Sequence, residues 1–497
     1  MLRQVIRSVH PSWVFYAAVC GVTAGIVVGV ACQLVIFTHL ILAILAGFVI
    51  LLSLRFSTPL TATIAFLAGF VLGSFRIGHD LTSQSTLQAH LDQTVIVTGT
   101  LAEDPDDSNG TTAIRLQNLR LFSSEQEITD AAPAIAGVLY VTLSGTNVLE
   151  RSDQVALQGK LSVGFGNFIG KMARPELLSV TRSEPGDIFA KFKHWFANLV
   201  RGLIPSPEVD LGLGYLMGMK SGLPTDFAEA LRAVGMTHVV VASGAHLAIL
   251  TTAAKKVFGR ISKFAGLLFS LLLISGFVMI VGFTPSMTRA ALVASLSLLV
   301  GYVGRKFTPY RLISFVAMLT LLLNPGHLLN LGWQLSFASF FAILILAPRL
   351  TQTFYGGKPP PWLASMLLTS LATSLVCAPI LIYNFGTLSL LSFVANLVIL
   401  PTLPYAMLGT MLTGLLSPLP LISVVVARLT TLILDLHLWL VNFLSTKTAF
   451  ILSLPSANPL AFCLYLPLIC YLAYPVFKRF RRAAHTSRID DSKLSMV

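Results

Sequence analysis

Thr237–Leu247 (THVVVASGAHL) places two histidines and a serine around one glycine, inside an apolar run from Met236 to Ala254. A helical run of that length can cross a bilayer. His238 and His246 bracket Ser243-Gly244, a pair able to interrupt the helical hydrogen-bond ladder. Irregular backbone at membrane depth is tolerated only where protein or a water-filled cavity surrounds it. Polar and ionisable groups at that depth mark functional sites by default. A packing role also fits these residues, with a glycine kink and both histidines satisfied by neighbours. Ser243 and His246 are of the residue types that serve as nucleophile and base. No acidic residue is placed to orient the histidine and no oxyanion site is recognisable, so the residues read as binding rather than catalysis.

Arg289 is the next residue of note. It falls in the first turn of an apolar helix, where a cation opposes the helix dipole. A carboxylate or a bound anion would satisfy it, and so would helix-end carbonyls. Between Glu229 and Asp490 the only carboxylate is Asp435, while basic residues recur throughout. Cation pumps and proton relays need intramembrane Asp or Glu. A path for an anion does not. Asp435, with Arg428 or His437, reads as a structural or interfacial charge set.

The chain that must position these groups has 497 residues, 55% hydrophobic and 11% charged. Soluble domains carry about 25% charged residues, so this is a polytopic α-helical membrane protein. The five cysteines lie in apolar segments without a CxxC pair, which suggests neither a disulfide framework nor a thiolate metal site. No GxxxxGK[ST] motif is present, so no nucleotide-driven motor is expected within the chain. No cofactor and no metal is implied.

Residues 1–79 read as three spans, about Val14–Cys32, Leu34–Leu54 and Leu60–Phe75. Arg3 and Arg7 place the N-terminus inside. Residues 80–186 change character. The stretch Asp80–Asp187 holds fourteen carboxylates against seven basic side chains, a balance of −7 within a total of +13. Alternating runs at Thr94–Gly99, Ala113–Leu121, Gly137–Leu143 and Gln154–Leu161 predict an inserted external β domain, a small OB-like barrel. Such barrels often bind nucleic acid. Here the acidic balance and the few aromatics (Tyr140, Phe165, Phe168) favour a domain that only folds and packs.

Residues 187–235 read as amphipathic interfacial helices. Asp187–Ile204 has Phe189, Phe192, Trp195, Phe196 and Leu199 at helical spacing, with Lys191, Lys193 and Arg201 between them. Residues 236–478 form a bundle whose helices the prolines Pro379, Pro401, Pro404, Pro418 and Pro420 are expected to break. Counting Leu388–Leu408 and Met411–Leu421 as separate spans puts Lys478–Arg482 outside, against the positive-inside rule. One segment must then be re-entrant or interfacial, and Val424–Leu444 is the candidate. Residues 479–497 are a basic cytoplasmic tail.

These segments carry a resemblance. Lys220-Ser221-Gly222-Leu223, Phe227–Arg232, Gly235, His238 and Ser243-Gly244-x-His246 are followed by Pro285-Ser286-x-x-Arg289-Ala290 and Asn324-Pro325. Gly332-x-Gln334-Leu335-Ser336, Tyr383-Asn384-Phe385-Gly386, Leu388-Ser389, Ala395-Asn396-Leu397 and Pro401 come next. Each motif alone is weak; in this order, behind three spans and a β domain, the chain resembles the ComEC family of DNA-internalisation proteins of natural competence. Ala245 and Trp333 depart from its pattern.

The resemblance implies an inner-membrane channel, not an enzyme, that passes single-stranded DNA to the cytoplasm, with the lipid bilayer as its other partner. It also implies a separate DNA receptor and a cytoplasmic helicase or DNA-binding protein. Candidate path-lining residues are His238, Ser243, Gly244, His246, Arg289, Gln334, Ser336, Asn384 and Asn396. Many family members add a metallo-β-lactamase-like domain. The ten histidines here include no HxHxDH-type cluster, so the likeness is to the channel portion and the nuclease is expected to be a separate protein. The competing classes are a secondary transporter or flippase for another anionic polymer or lipid, and an intramembrane enzyme using Ser243 and His246.

Overall fold

The computed structural model describes residues 11–32, 45–47, 49–50, 58–108, 110–122, 134–145, 149–182, 187–219, 222–240, 244–304, 308–356, 358–389, 391–447, 451–453, 463, 465 and 467. Two compact units are present. One comprises Met1–Ala230, Thr237–Gln334 and Leu400–Leu440; the other comprises Leu231–Met236, Leu335–Ile399 and Val441–Val497. Seven helices among the described residues are long and apolar enough to cross a membrane.

The first unit begins with α1 (Pro11–Cys32) and α2 (Pro59–Gln88). Gly21 meets the Phe66 backbone, Gly25 that of Phe70 and Gly29 the side chain of Ile77, while Gly69 and Gly73 meet Ala18 and Val22. A Cβ on Gly25 would lie 2.3 Å from the Phe70 carbonyl oxygen. Small residues four apart on both helices let the two backbones touch, the interface favoured where lipid supplies no hydrophobic drive. From Gly21–Phe66 to Gly29–Ile77 the residue numbers in contact rise together, so the two helices run parallel. Most of the expected middle span, Leu34–Leu54, lies outside the described residues.

The barrel follows with β1 (Thr94–Leu101), β2 (Asp106–Ser108), β3 (Thr111–Phe122), β4 (Val138–Ser144), β5 (Gln154–Val163), β6 (Phe168–Ala173) and β7 (Glu176–Thr181). The strands β1-β3-β4-β6-β5 pair in that order and β5 returns to β1, closing a five-stranded barrel. All pairs in the ring are antiparallel except β4–β6. This is the OB-type arrangement expected of the region. Alternating Leu139, Val141 and Leu143 join Leu116, Leu157 and Met172 in the core, and Leu87 at the end of α2 enters it too. The barrel is therefore seated on the second described helix.

Next come α3 (Ile188–Arg201), α4 (Glu208–Met217), α5 (Thr225–Val234), α6 (Thr237–Val240) and α7 (Gly244–Phe258). Asp187 caps α3 by accepting from the Phe189 and Ala190 amides. Val209 through Met217 on α4 are all buried, so this short helix is internal. The expected interruption at Ser243 falls on residues 241–243, outside the described residues.

Then α8 (Lys263–Val281) and α9 (Pro285–Tyr302) form a hairpin, and α10 (Pro309–Leu323) follows. Thr284 caps α9 and Pro285 opens it, a position where its missing N–H costs nothing. Two arginines seal helix ends. Arg76 of α2 donates to the Leu322 and Leu323 carbonyls at 2.7 and 2.8 Å and pairs with Asp80. Arg151, between β4 and β5, donates to Asp187 and to the Met279 carbonyl, both at 2.7 Å. Each satisfies last-turn carbonyls that a helix cannot bond itself, and each cation sits at the negative dipole end.

In α11 (Leu331–Phe341), a π turn at Ala342–Leu346 leads into α12 (Ala347–Tyr355), with Pro348 in its first turn. Proline lacks the N–H for the ladder and its ring crowds the carbonyl four residues back, so the helix widens there. The second unit also has α13 (Trp362–Phe385), β8 (Thr387–Ser389) and the start of α14 (Leu391–Leu415), whose residues from Leu400 on belong to the first unit.

Pro379 and the pair Pro401 and Pro404 lie inside continuous helices rather than at breaks. Residues 391–415 are one helix, so the segments separated at Met411 merge. Then α15 (Pro420–Ser445) is one helix of 26 residues, long enough to cross. Merging removes one crossing from the count, and with it the need for a re-entrant Val424–Leu444. β9 (Ile451–Ser453) pairs antiparallel with β8.

Candidate functional site

Arg289 is buried, with 2% of its surface exposed. Its Nη2 donates to the Ser286 carbonyl at 3.0 Å, one turn back on α9. Around it the core is apolar, with Met287 and Ala290 of α9 packed among Leu247 and Leu250 of α7. Gly244, the first residue of α7, puts its Cβ position 3.4 Å from the Ala290 Cβ. His246 in the first turn of α7 is 1% exposed. The start of α7 at Gly244 thus lies against Ala290, the residue after Arg289 on α9, while His246 and Arg289 are each buried on their own helix. A guanidinium has five N–H donors, and burying it costs several kcal/mol unless polar groups surround it. Both helix N-termini carry partial positive charge. Ser243 and the His238 side chain lie outside the described residues.

The remaining candidates sit elsewhere. Gln334 donates to the Leu328 carbonyl at 2.8 Å. Ser336 is half-buried on α11 of the second unit. Asn384 is exposed at the end of α13 and donates to Ile380. Asn396 donates to Ser370 Oγ at 3.3 Å, and its buried Oδ1 has no partner among the described residues. In the same unit the Gly235 turn packs against Ser389 and Ser392, joining two segments the motifs mark separately.

A polar cluster in the first unit was not evident in the sequence. His437 of α15 is fully buried, its Nε2 lies 2.7 Å from Thr402 Oγ1 of α14, and its ring meets Tyr215 of α4 edge to face at 5.7 Å. Asp435 and Arg428 are exposed, so the expected charge set with His437 does not form. Two residues along a helix turn about 200°, which sends Asp435 to the opposite side. The signal for the cluster was weak, because a tyrosine in an apolar helix looks like any core aromatic.

At the barrel end of α10, the turn Pro325–Leu329 carries His327. Burial lowers its pKa from the usual 6.5, and a hydrogen bond to the Thr320 backbone partly offsets this. On the barrel, Tyr140, Phe165 and Phe168 form one cluster with ring centroids 5.0 to 5.3 Å apart. Phe165 is 51% exposed, and Lys171 lies beside Tyr140 in the register. The loop at Gly166 approaches the Leu329 carbonyl. No group of three or more His, Cys, Asp or Glu able to hold a metal is present among the described residues.

An apolar helical bundle with buried cationic and polar groups, and an OB-type barrel seated on one helix, defines a multi-pass membrane protein. The sequence model of the family described as "Competence protein" matches residues 215–479, more than half the chain. The chain belongs to that family. It is 25% identical over 326 residues to "ComE operon protein 3" of Bacillus subtilis (strain 168), which covers 64% of this chain and 40% of that protein. It is 27% identical over 207 residues to "Uncharacterized protein MG316 homolog" of Mycoplasma pneumoniae, covering 38% of this chain and 51% of that one. The chain therefore spans about half or less of each of these relatives. No solved structure matches it.

Proposed function

We propose that the protein is a cytoplasmic-membrane channel that passes single-stranded DNA into the cell during natural transformation. The observation that carries this reading is Arg289, a nearly fully buried guanidinium near the start of α9. It lies in a stretch whose only carboxylate, Asp435, is exposed. Such a bundle attracts phosphate and presents it with little repulsion. A long polyanion needs many moderate contacts to enter and leave, and Gly244, His246, Gln334, Ser336, Asn384 and Asn396 are suited to supply them. Membership of the competence family and the likeness to ComE operon protein 3 support the reading.

The barrel lies outside the cell in this reading. α8 and α10 both end at arginines from the barrel side, and the basic loop Lys255–Lys263 lies at the other end of α8. With Leu391–Leu415 as one span, alternation places Lys478–Arg482 inside, as the positive-inside rule requires. Energy comes from a partner or the proton gradient. A receptor and a helicase or DNA-binding protein act with it in this reading.

The test is uptake of labelled DNA. A deletion strain should lose transformation while retaining DNA binding at the cell surface. Arg289→Ala and His246→Ala, at normal membrane levels, should each lower internalised label at least about tenfold, the loss of one charged contact of about 1.4 kcal/mol or more. Normal transformation in the deletion strain would sink the proposal. Unchanged uptake in both variants would return the two residues to a packing role.

A further inference from the structure

α3 has three faces where an amphipathic helix ordinarily has two. Phe196, Ala197 and Val200 are buried with Val209, Leu213 and Ala427. Ile188, Phe192 and Trp195 are exposed, at 66%, 41% and 56%. Lys191, His194, Asn198 and Arg201 are exposed as well. At about 100° per residue, Trp195, Ile188 and Phe192 fall within a strip about 60° wide. The four polar residues fill the adjoining sector of about 80°. A helix sorted this way meets protein on one side, an apolar medium on the second and water on the third.

The depth of the helix is set by its ties. Its cap, Asp187, is held by Arg151, which also donates to the Met279 carbonyl at the end of the α8 span. Lys193, buried on the same helix, pairs with Asp104 of the barrel at 2.5 Å. The helix is thus fixed at the level where a span ends and the water-facing barrel begins. The exposed apolar surface of α8 runs toward it through Leu268, Leu272 and Met279 to Phe283. Aromatic rings with nearby cations are the usual occupants of that level.

We propose that the Ile188–Phe192–Trp195 strip of α3 is seated in the barrel-side leaflet of the phospholipid bilayer, with Lys191 and His194 at headgroup level. The helix then acts as a fixed float that sets how far the barrel stands off the membrane. Aromatics beside cations also suit a nucleic-acid strand. Lipid is favoured because the strip continues the apolar surface of α8 and because Phe192 and Trp195 pack on each other, with centroids 5.6 Å apart, which leaves less ring face for a base. The inference rests on the membrane-protein fold and not on DNA transport.

The experiment uses the full chain in nanodiscs made with brominated phospholipids. Trp195 is one of five tryptophans, so its emission is taken as the difference between wild type and Trp195→Phe. Bromines near the headgroup end of the acyl chain should quench that emission at least about twofold more than bromines at the chain ends. Absence of quenching by either lipid overturns the proposal, since the strip then faces water or protein. Loss of lipid quenching on adding a single-stranded oligonucleotide overturns it in favour of DNA. Should Trp195→Phe fail to accumulate, Phe192→Trp adds a reporter to the same strip, and its added emission must show the same depth preference.

Discussion

Replacing Arg151 with alanine tests whether one side chain locks the barrel to the membrane bundle. Arg151 makes two short charged hydrogen bonds, Nε to Asp187 and Nη2 to the Met279 carbonyl, both at 2.7 Å, and a longer one to Ile280 at 3.5 Å. Hydrogen bonds to charged groups contribute about 1.5–3 kcal/mol each, and the longer contact adds little. Asp187 keeps its two amide donors after the change, so it is not stranded. The expected loss is about 3 kcal/mol, toward the low end of the sum.

The readout is hydrogen exchange at Gly282, whose amide bonds to the Val278 carbonyl at 2.7 Å and closes α8. Three kcal/mol corresponds to about 100-fold faster exchange when opening limits the rate. In an Asp187→Asn background the ion pair is already gone, so the same replacement should cost about half as much. Unchanged exchange in Arg151→Ala, or an equal increment in both backgrounds, would refute the account of the lock.

Three further changes have expected outcomes. Gly73→Val drives a Cβ to within 2.3 Å of the Val22 carbonyl oxygen; backbone cannot swing away, so α1–α2 pairing should weaken by about 3 kcal/mol, read as lost cross-linking between cysteines placed on the two helices. The His327 pKa is lowered on folding, so the unfolded chain binds the extra proton; stability is full above about 6.5 and falls as pH drops through and below that value. His327→Gln should flatten that part of a melting-temperature profile, and an unaltered slope would remove His327 as the cause. The isolated barrel, closed around its own core, should bind single strands weakly, and Phe165→Ala should weaken that binding further by about 1 kcal/mol; tight, salt-sensitive binding would instead point to a basic face.

Strand alternation marked β1, β3, β4 and β5 in the sequence because their inward residues are mostly apolar, with Thr112 an exception. It missed β6, where Gly170 and Lys171 interrupt the pattern, and β7, a short strand with only partial burial. The glycines of α1 and α2 were hidden by the uniform hydrophobicity around them. Arg289 was legible as an isolated charge in an apolar run. Arg76 and Arg151 were not legible, because the groups they bind are backbone carbonyls that any residue would offer. Tyr215, Thr402 and His437 lie far apart in the chain, and only tertiary packing makes them a cluster. The division at Met411 failed because an apolar stretch longer than one crossing was cut in two where the helix in fact continues.

The short ribbon between Thr387–Ser389 and Ile451–Ser453 bears on how the protein is made. Translation delivers β8 well before β9, and all of Leu400–Leu440, which belongs to the other unit, emerges between them. A nascent chain halted at Ser445 leaves the β8 backbone without its partner strand. The second unit therefore reaches its finished form only after the ribosome has passed Ser453. Late closure of this kind ties the last step of folding in this unit to the emergence of its C-terminal strand.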